Sequence, residues 1–92
     1  MRPTRKLLDD LESLVSALGY HLRYEKGNFK GGACVVEQRR LVVINKFFAL
    51  EGKVATLTEV IPQLAAPQQP LEPALQQLWL QLCHSRPMLA LQ

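Results

Sequence analysis

Cysteine and histidine are scarce in this chain, two of each in 92 residues, and they do not form closely spaced sets. Cys83 and His84 are adjacent, whereas His21 and Cys34 stand alone. Structural zinc draws four ligands, usually from paired positions, so the spacing argues against a metal centre. Cys34 reads as a small apolar residue of a strand, and Cys83 as its counterpart on a helix. A Cys34–His21 dyad would need both side chains on one face and an exposed, activated thiol. Two isolated residues do not establish that, and no cofactor is expected.

Long apolar runs are also missing. No window reaches the ~18 uncharged apolar residues that suggest a membrane-spanning helix. The start, Met1-Arg2-Pro3-Thr4-Arg5-Lys6, has no continuous apolar segment, so no signal peptide is expected. With only two cysteines, the expected setting is reducing and cytoplasmic. Blocks of like charge are absent too. The net charge of +3 has its source between residues 21 and 53, a segment basic by four, where seven cations (Arg23, Lys26, Lys30, Arg39, Arg40, Lys46 and Lys53) face three anions (Glu25, Glu37 and Glu51).

What is present is a 48% hydrophobic composition, enough to make residues 1–92 one folded domain. Leu7, Leu8, Leu11, Leu14, Val15 and Leu18 form one stripe at helical period, with Thr4 placed to cap the start and Gly19 to end it. From Tyr20 the period falls to two: Tyr20, Leu22 and Tyr24 alternate with His21, Arg23 and Glu25. A turn-rich segment, Gly27–Gly32, leads to a second strand, Ala33–Glu37. Gln38-Arg39-Arg40 separates that strand from a third, Leu41–Ile44, which is apolar on both faces. Short connections predict an antiparallel β-meander.

Val54, Leu57, Ile61 and Leu64 share one face of a second helix that Pro62 should end or kink near Ile61. Residues 65–73 are a stiff, proline-rich connector. Leu71, Leu75, Leu78 and Leu82, with Trp79 beside them, mark a last helix that Pro87 should end, ahead of an apolar tail, Met88–Leu91. The expected fold is α+β: helix, three-stranded antiparallel meander, then two helices.

Several phosphate and nucleic-acid signatures fail at identifiable residues. Gly27–Gly32 has three residues between Gly27 and Gly31 and runs into a strand, where a P-loop has four and runs into a helix. The RNA-recognition consensus, laid on Lys30–Glu37, puts Gly32, Cys34 and Glu37 where stacking rings belong. Phe29 between Lys26 and Lys30 exceeds what a turn requires. Arg23, Lys26, Phe29, Lys30, Arg39 and Arg40 therefore make a candidate binding surface for a nucleic acid or phosphate ligand.

Leu18-Gly19-Tyr20, Arg23–Lys30, Val42–Phe48 and Leu50-Glu51-Gly52 resemble a family of short uncharacterised proteins of the Bacteroidetes group, over residues 18–64. The resemblance brings no activity with it, but it implies that Arg23–Lys30 is more than a turn. A shorter stretch looks like the start of ImmA/IrrE-type metallopeptidase domains. There Thr-Leu-Ala precedes His-Glu-x-x-His; here Thr56-Leu57-Thr58 precedes Glu59, Val60 and Gln63 at the ligand and base positions. That resemblance implies a related fold without the chemistry. The expected function is a small non-enzymatic interaction module acting as a homodimer, with Leu41, Val43 and Trp79 as contacts.

Overall fold

The computed structural model describes residues 2–26 and 33–84. The Gly27–Gly32 connection, with Phe29 and Lys30, and the tail from residue 85 lie outside the described residues.

Helix α1 (Arg5–Ala17) begins where the Thr4 hydroxyl accepts a hydrogen bond from the Leu7 amide at 3.0 Å, filling one of the orphan donors of the first turn. It ends at Gly19, whose φ of +92° is a backbone state that favours glycine. The Gly19 amide donates to the Ser16 carbonyl at 2.9 Å and the Tyr20 amide to that of Val15 at 3.1 Å, the paired closure of a Schellman motif. This stop turns the chain directly into β1 (His21–Glu25), with Tyr20 serving as the last residue of the cap.

β2 (Ala33–Val36) and β3 (Leu41–Asn45) are antiparallel, joined by a 3₁₀ turn at Glu37–Arg39 and by Arg40 in the left-handed region, φ 50°. β1 does not pair with β2. It lies on the other side of β3 and runs parallel to it, with His21 opposite Leu41 and Glu25 opposite Asn45, so the strand order is β1-β3-β2. The expected antiparallel meander is therefore corrected to a mixed sheet, in which the second strand also stops one residue early, Glu37 belonging to the turn. The physical reason lies in β3. A strand apolar on both faces has most to gain from the central position, and β3 takes it.

One face of this sheet carries Leu22 and Tyr24 from β1, Val42 and Ile44 from β3, and Ala33 and Val35 from β2. Val42 and Ile44 are fully buried there beneath α1 and α2 (Leu50–Val60). The stripe on α1 supplies Leu8, Leu11, Leu14 and Val15, and α2 supplies Val54 and Leu57. The α-helical form ends at Val60, and a 3₁₀ turn holding Pro62 continues to Gln63, keeping Ile61 and Leu64 in the core. α3 (Pro73–His84) closes the helical side against α1 and that turn. Its Leu82 is buried, while Leu75, Leu78 and Trp79 pack partly buried on the core. No described helix is long and apolar enough to cross a membrane.

Two tyrosines tie these layers together through polar ends. Tyr20, 3% exposed, donates its hydroxyl proton to Glu37 Oε1 at 2.6 Å and accepts from the Ala65 amide at 3.0 Å. It thereby joins the β2–β3 turn to the segment after α2. Replacing Tyr20 with Phe removes both hydrogen bonds and leaves the apolar packing intact. We expect a loss of about 1–3 kcal/mol, the net worth of two ordinary hydrogen bonds, read from the urea midpoint.

Tyr24 donates to Glu12 of α1, and the Lys53 ammonium of α2 lies 4.8 Å from its ring centroid. Burial, then the Glu12 hydrogen bond and its charge, push the Tyr24 hydroxyl well above the ordinary value of 10.0. An unfolded tyrosine loses its proton first as pH rises, so this contribution is fully present below pH 10 and declines above it. Alkaline titration of stability should show a steeper fall in the wild type than in Tyr24→Phe.

Candidate functional site

The second face of the sheet carries the surface most suited to a partner. Register across the three strands sets its composition row by row: Val36, Leu41 and His21 in one row, Cys34, Val43 and Arg23 in the next, then Asn45 and Glu25. Because side chains alternate along each strand, the residues that bury Val42 and Ile44 on one side deliver Leu41 and Val43 to the other. Leu41, Val43 and Val36 are half-buried and Cys34 is exposed, whereas Val42 and Ile44 are fully buried. The β2 and β3 side of this face is thus apolar and its β1 side is polar. There the Arg23 guanidinium pairs with Glu25 Oε2 at 2.6 Å, both side chains being substantially exposed.

The structure brings Leu41 and Val43 together and adds Val36 and Cys34 to this surface. Their signal was available in principle. Once β2 is known to pair with β3, alternation alone assigns their face. Trp79 lies elsewhere, on α3 against the helical core, and shares no surface with Leu41 and Val43.

The candidate cationic residues are distributed along the length of the sheet. Lys26 follows the end of β1, Arg23 sits mid-face, and Arg39 and Arg40 occupy the turn at the opposite end. A five-residue strand separates the two ends by roughly 16 Å. Arg40 is engaged over the Tyr20 ring, 5.0 Å from its centroid. At the Lys26 end the structure adds Phe47, 69% exposed, with the Lys46 ammonium 5.4 Å from its ring centre. The Asn45 side chain accepts from the Phe47 amide at 2.9 Å and fixes that corner.

Cys34 and His21 do share the open face, but on its two edge strands with β3 between them. Two strand spacings and two residues of rise put them about 12 Å apart, beyond proton-transfer distance. No group of three or more described His, Cys, Asp or Glu residues is arranged to hold a metal. In α2, Val60 is buried, and the Gln63 side-chain amide donates to the Glu59 carbonyl at 2.9 Å, so these positions serve the helix end. No protein-family model, curated protein or solved structure matches the chain, and what this face can bind follows from its own chemistry.

Proposed function

We propose that the chain is a non-enzymatic interaction module that pairs with a second copy of itself through the open sheet face. The observation behind this reading is the half-buried apolar patch of Val36, Leu41 and Val43, set beside a charged margin on a face without a described covering element. An apolar centre with a polar rim is the ordinary anatomy of a protein interface. The occupant that fits is another copy, because the margin is self-complementary. Arg23 and Glu25, paired within one chain, can exchange partners across a two-fold axis.

The face is small, roughly 10 Å between outer strands and 16 Å along them. That falls well short of the ~800 Å² each partner contributes to a standard interface. Association is therefore weak and concentration-dependent. Light scattering behind size exclusion, over a hundredfold range of loading, should show mass rising toward the dimer. Val43→Asp, which puts a carboxylate in the apolar centre, should hold the chain at monomer mass. A dimer that persists in Val43→Asp would count against this face and in favour of the sheet edges.

A further inference from the structure

Arg40 is furnished for more than closing a turn. It is the non-glycine residue with positive φ among those described, φ 50° and ψ 51°, a backbone state that costs about 1 kcal/mol where a glycine would not. Its guanidinium rests over Tyr20 at 5.0 Å yet has no carboxylate or hydrogen-bond acceptor among the described residues. Arginine carries five donors in a planar fork suited to a carboxylate. Arg40 also lines a cavity.

That cavity has a volume of about 420 Å³ and is lined by Ala17, Leu18, Gly19, Arg40, Gln68 and Gln69. It falls in the lower part of the ~300–1,000 Å³ range of small-molecule pockets. Ala17–Gly19 are the C-terminal end of α1. The carbonyls of Leu14, Val15 and Ser16 are taken by the amides of Leu18, Tyr20 and Gly19, whereas those of Ala17 and Leu18 accept no hydrogen bond from a described residue. This end also bears the negative pole of the helix. Gln68 and Gln69 arrive between Pro67 and Pro70, on the connector anchored by the Ala65–Tyr20 hydrogen bond. Their amides can donate or accept.

A lone anion attracted by Arg40 would be opposed by the helix end, and a lone cation would meet the reverse. A molecule carrying both charges satisfies both poles. We infer that the cavity binds a small zwitterion of the amino-acid or dipeptide class, with its carboxylate on Arg40 and its ammonium on the open carbonyls of Ala17 and Leu18. The site is separate from the open sheet face and does not depend on self-association.

The test is a titration of the ¹⁵N-labelled full chain with free amino acids and glycylglycine. Ligand at about 10 mM suffices to detect a Kd near 1 mM. Saturable shifts should appear at the backbone amides of Gly19, Arg40, Gln68 and Gln69. The methyl ester and the N-acetyl form, each lacking one charge, should bind at least tenfold more weakly. Arg40→Gly accepts the left-handed turn and removes the guanidinium, and it should also bind at least tenfold more weakly. No shift with any free amino acid or with glycylglycine would overturn the proposal, and so would equal binding of the capped forms. Equal binding by a folded Arg40→Gly would do the same. If that variant loses its native spectrum, the capped ligands on the wild type decide alone.

Discussion

Val42→Asp should leave the chain unfolded at 25 °C, while Val43→Asp, one residue further along the same strand, should leave it folded. Val42 is fully buried between the sheet and the helices. A carboxylate there would join a buried cluster that holds no charged residue among those described, and an uncompensated buried charge costs roughly 3–5 kcal/mol, before the lost valine packing is added. That is comparable with the whole stability of a small domain, about 5–15 kcal/mol. Val43 points the other way and lies in register with Arg23 on β1. An aspartate at that position stays in contact with water and can meet the guanidinium, so its cost is that of poor strand propensity, about 1 kcal/mol. Circular dichroism and urea unfolding of the two variants read the difference directly. Two variants of similar stability would mean that the faces of β3 are misassigned.

Leu57→Ala should be the most damaging simple truncation on α2. Leu57 is fully buried in the core cluster that also holds Val42 and Ile44 of β3, on the helix that packs against that strand. Leucine-to-alanine changes at such sites cost about 2–5 kcal/mol, depending on how far the cavity collapses. For a chain of this length each kcal/mol moves the Tm by about 4–8 °C, so a fall of at least about 8 °C is expected. Thr58, the next residue, donates its hydroxyl to the Ala55 carbonyl and is only partly buried. Thr58→Ala should stay within about 1 kcal/mol of wild type.

The helices were legible because their signal is local. The α1 stripe, the Thr4 cap, the Gly19 stop and the interruption at Pro62 each act within a few residues, and each has its counterpart in the structure. The three strands were legible for the same reason. Their order was not. The connection from Glu25 to Ala33 is long enough either to join neighbouring strands ~4.8 Å apart or to cross the end of an intervening strand, and length alone does not choose. The deciding feature was the two-sided apolarity of Leu41–Ile44. That feature argues for a central β3, whereas a meander would have placed β2 in the centre. Weighing burial above connection length gives the observed order.

The candidate surface divides along the same line. Leu41 and Val43 could be read from alternation in one strand. The addition of Val36 and Cys34, and the removal of Trp79 to another surface, depend on pairing that no local pattern encodes. Tyr20 is a sharper case. Periodicity marks it as an inward-facing residue, but its hydroxyl reaches Glu37 and Ala65, 17 and 45 residues away in the chain. The same fold-level proximity brings Arg40 and the connector glutamines to the end of α1 and so creates a cavity that the sequence does not show.

The self-pairing of the open sheet face is tested most directly by isotope-filtered nuclear Overhauser spectroscopy on a mixture of labelled and unlabelled chains at high concentration. Intermolecular contacts are expected among the methyl groups of Val36, Leu41 and Val43, and they should vanish on dilution and in Val43→Asp. Intermolecular contacts confined to α3, or none at a concentration where the mass is that of a dimer, would contradict that pairing.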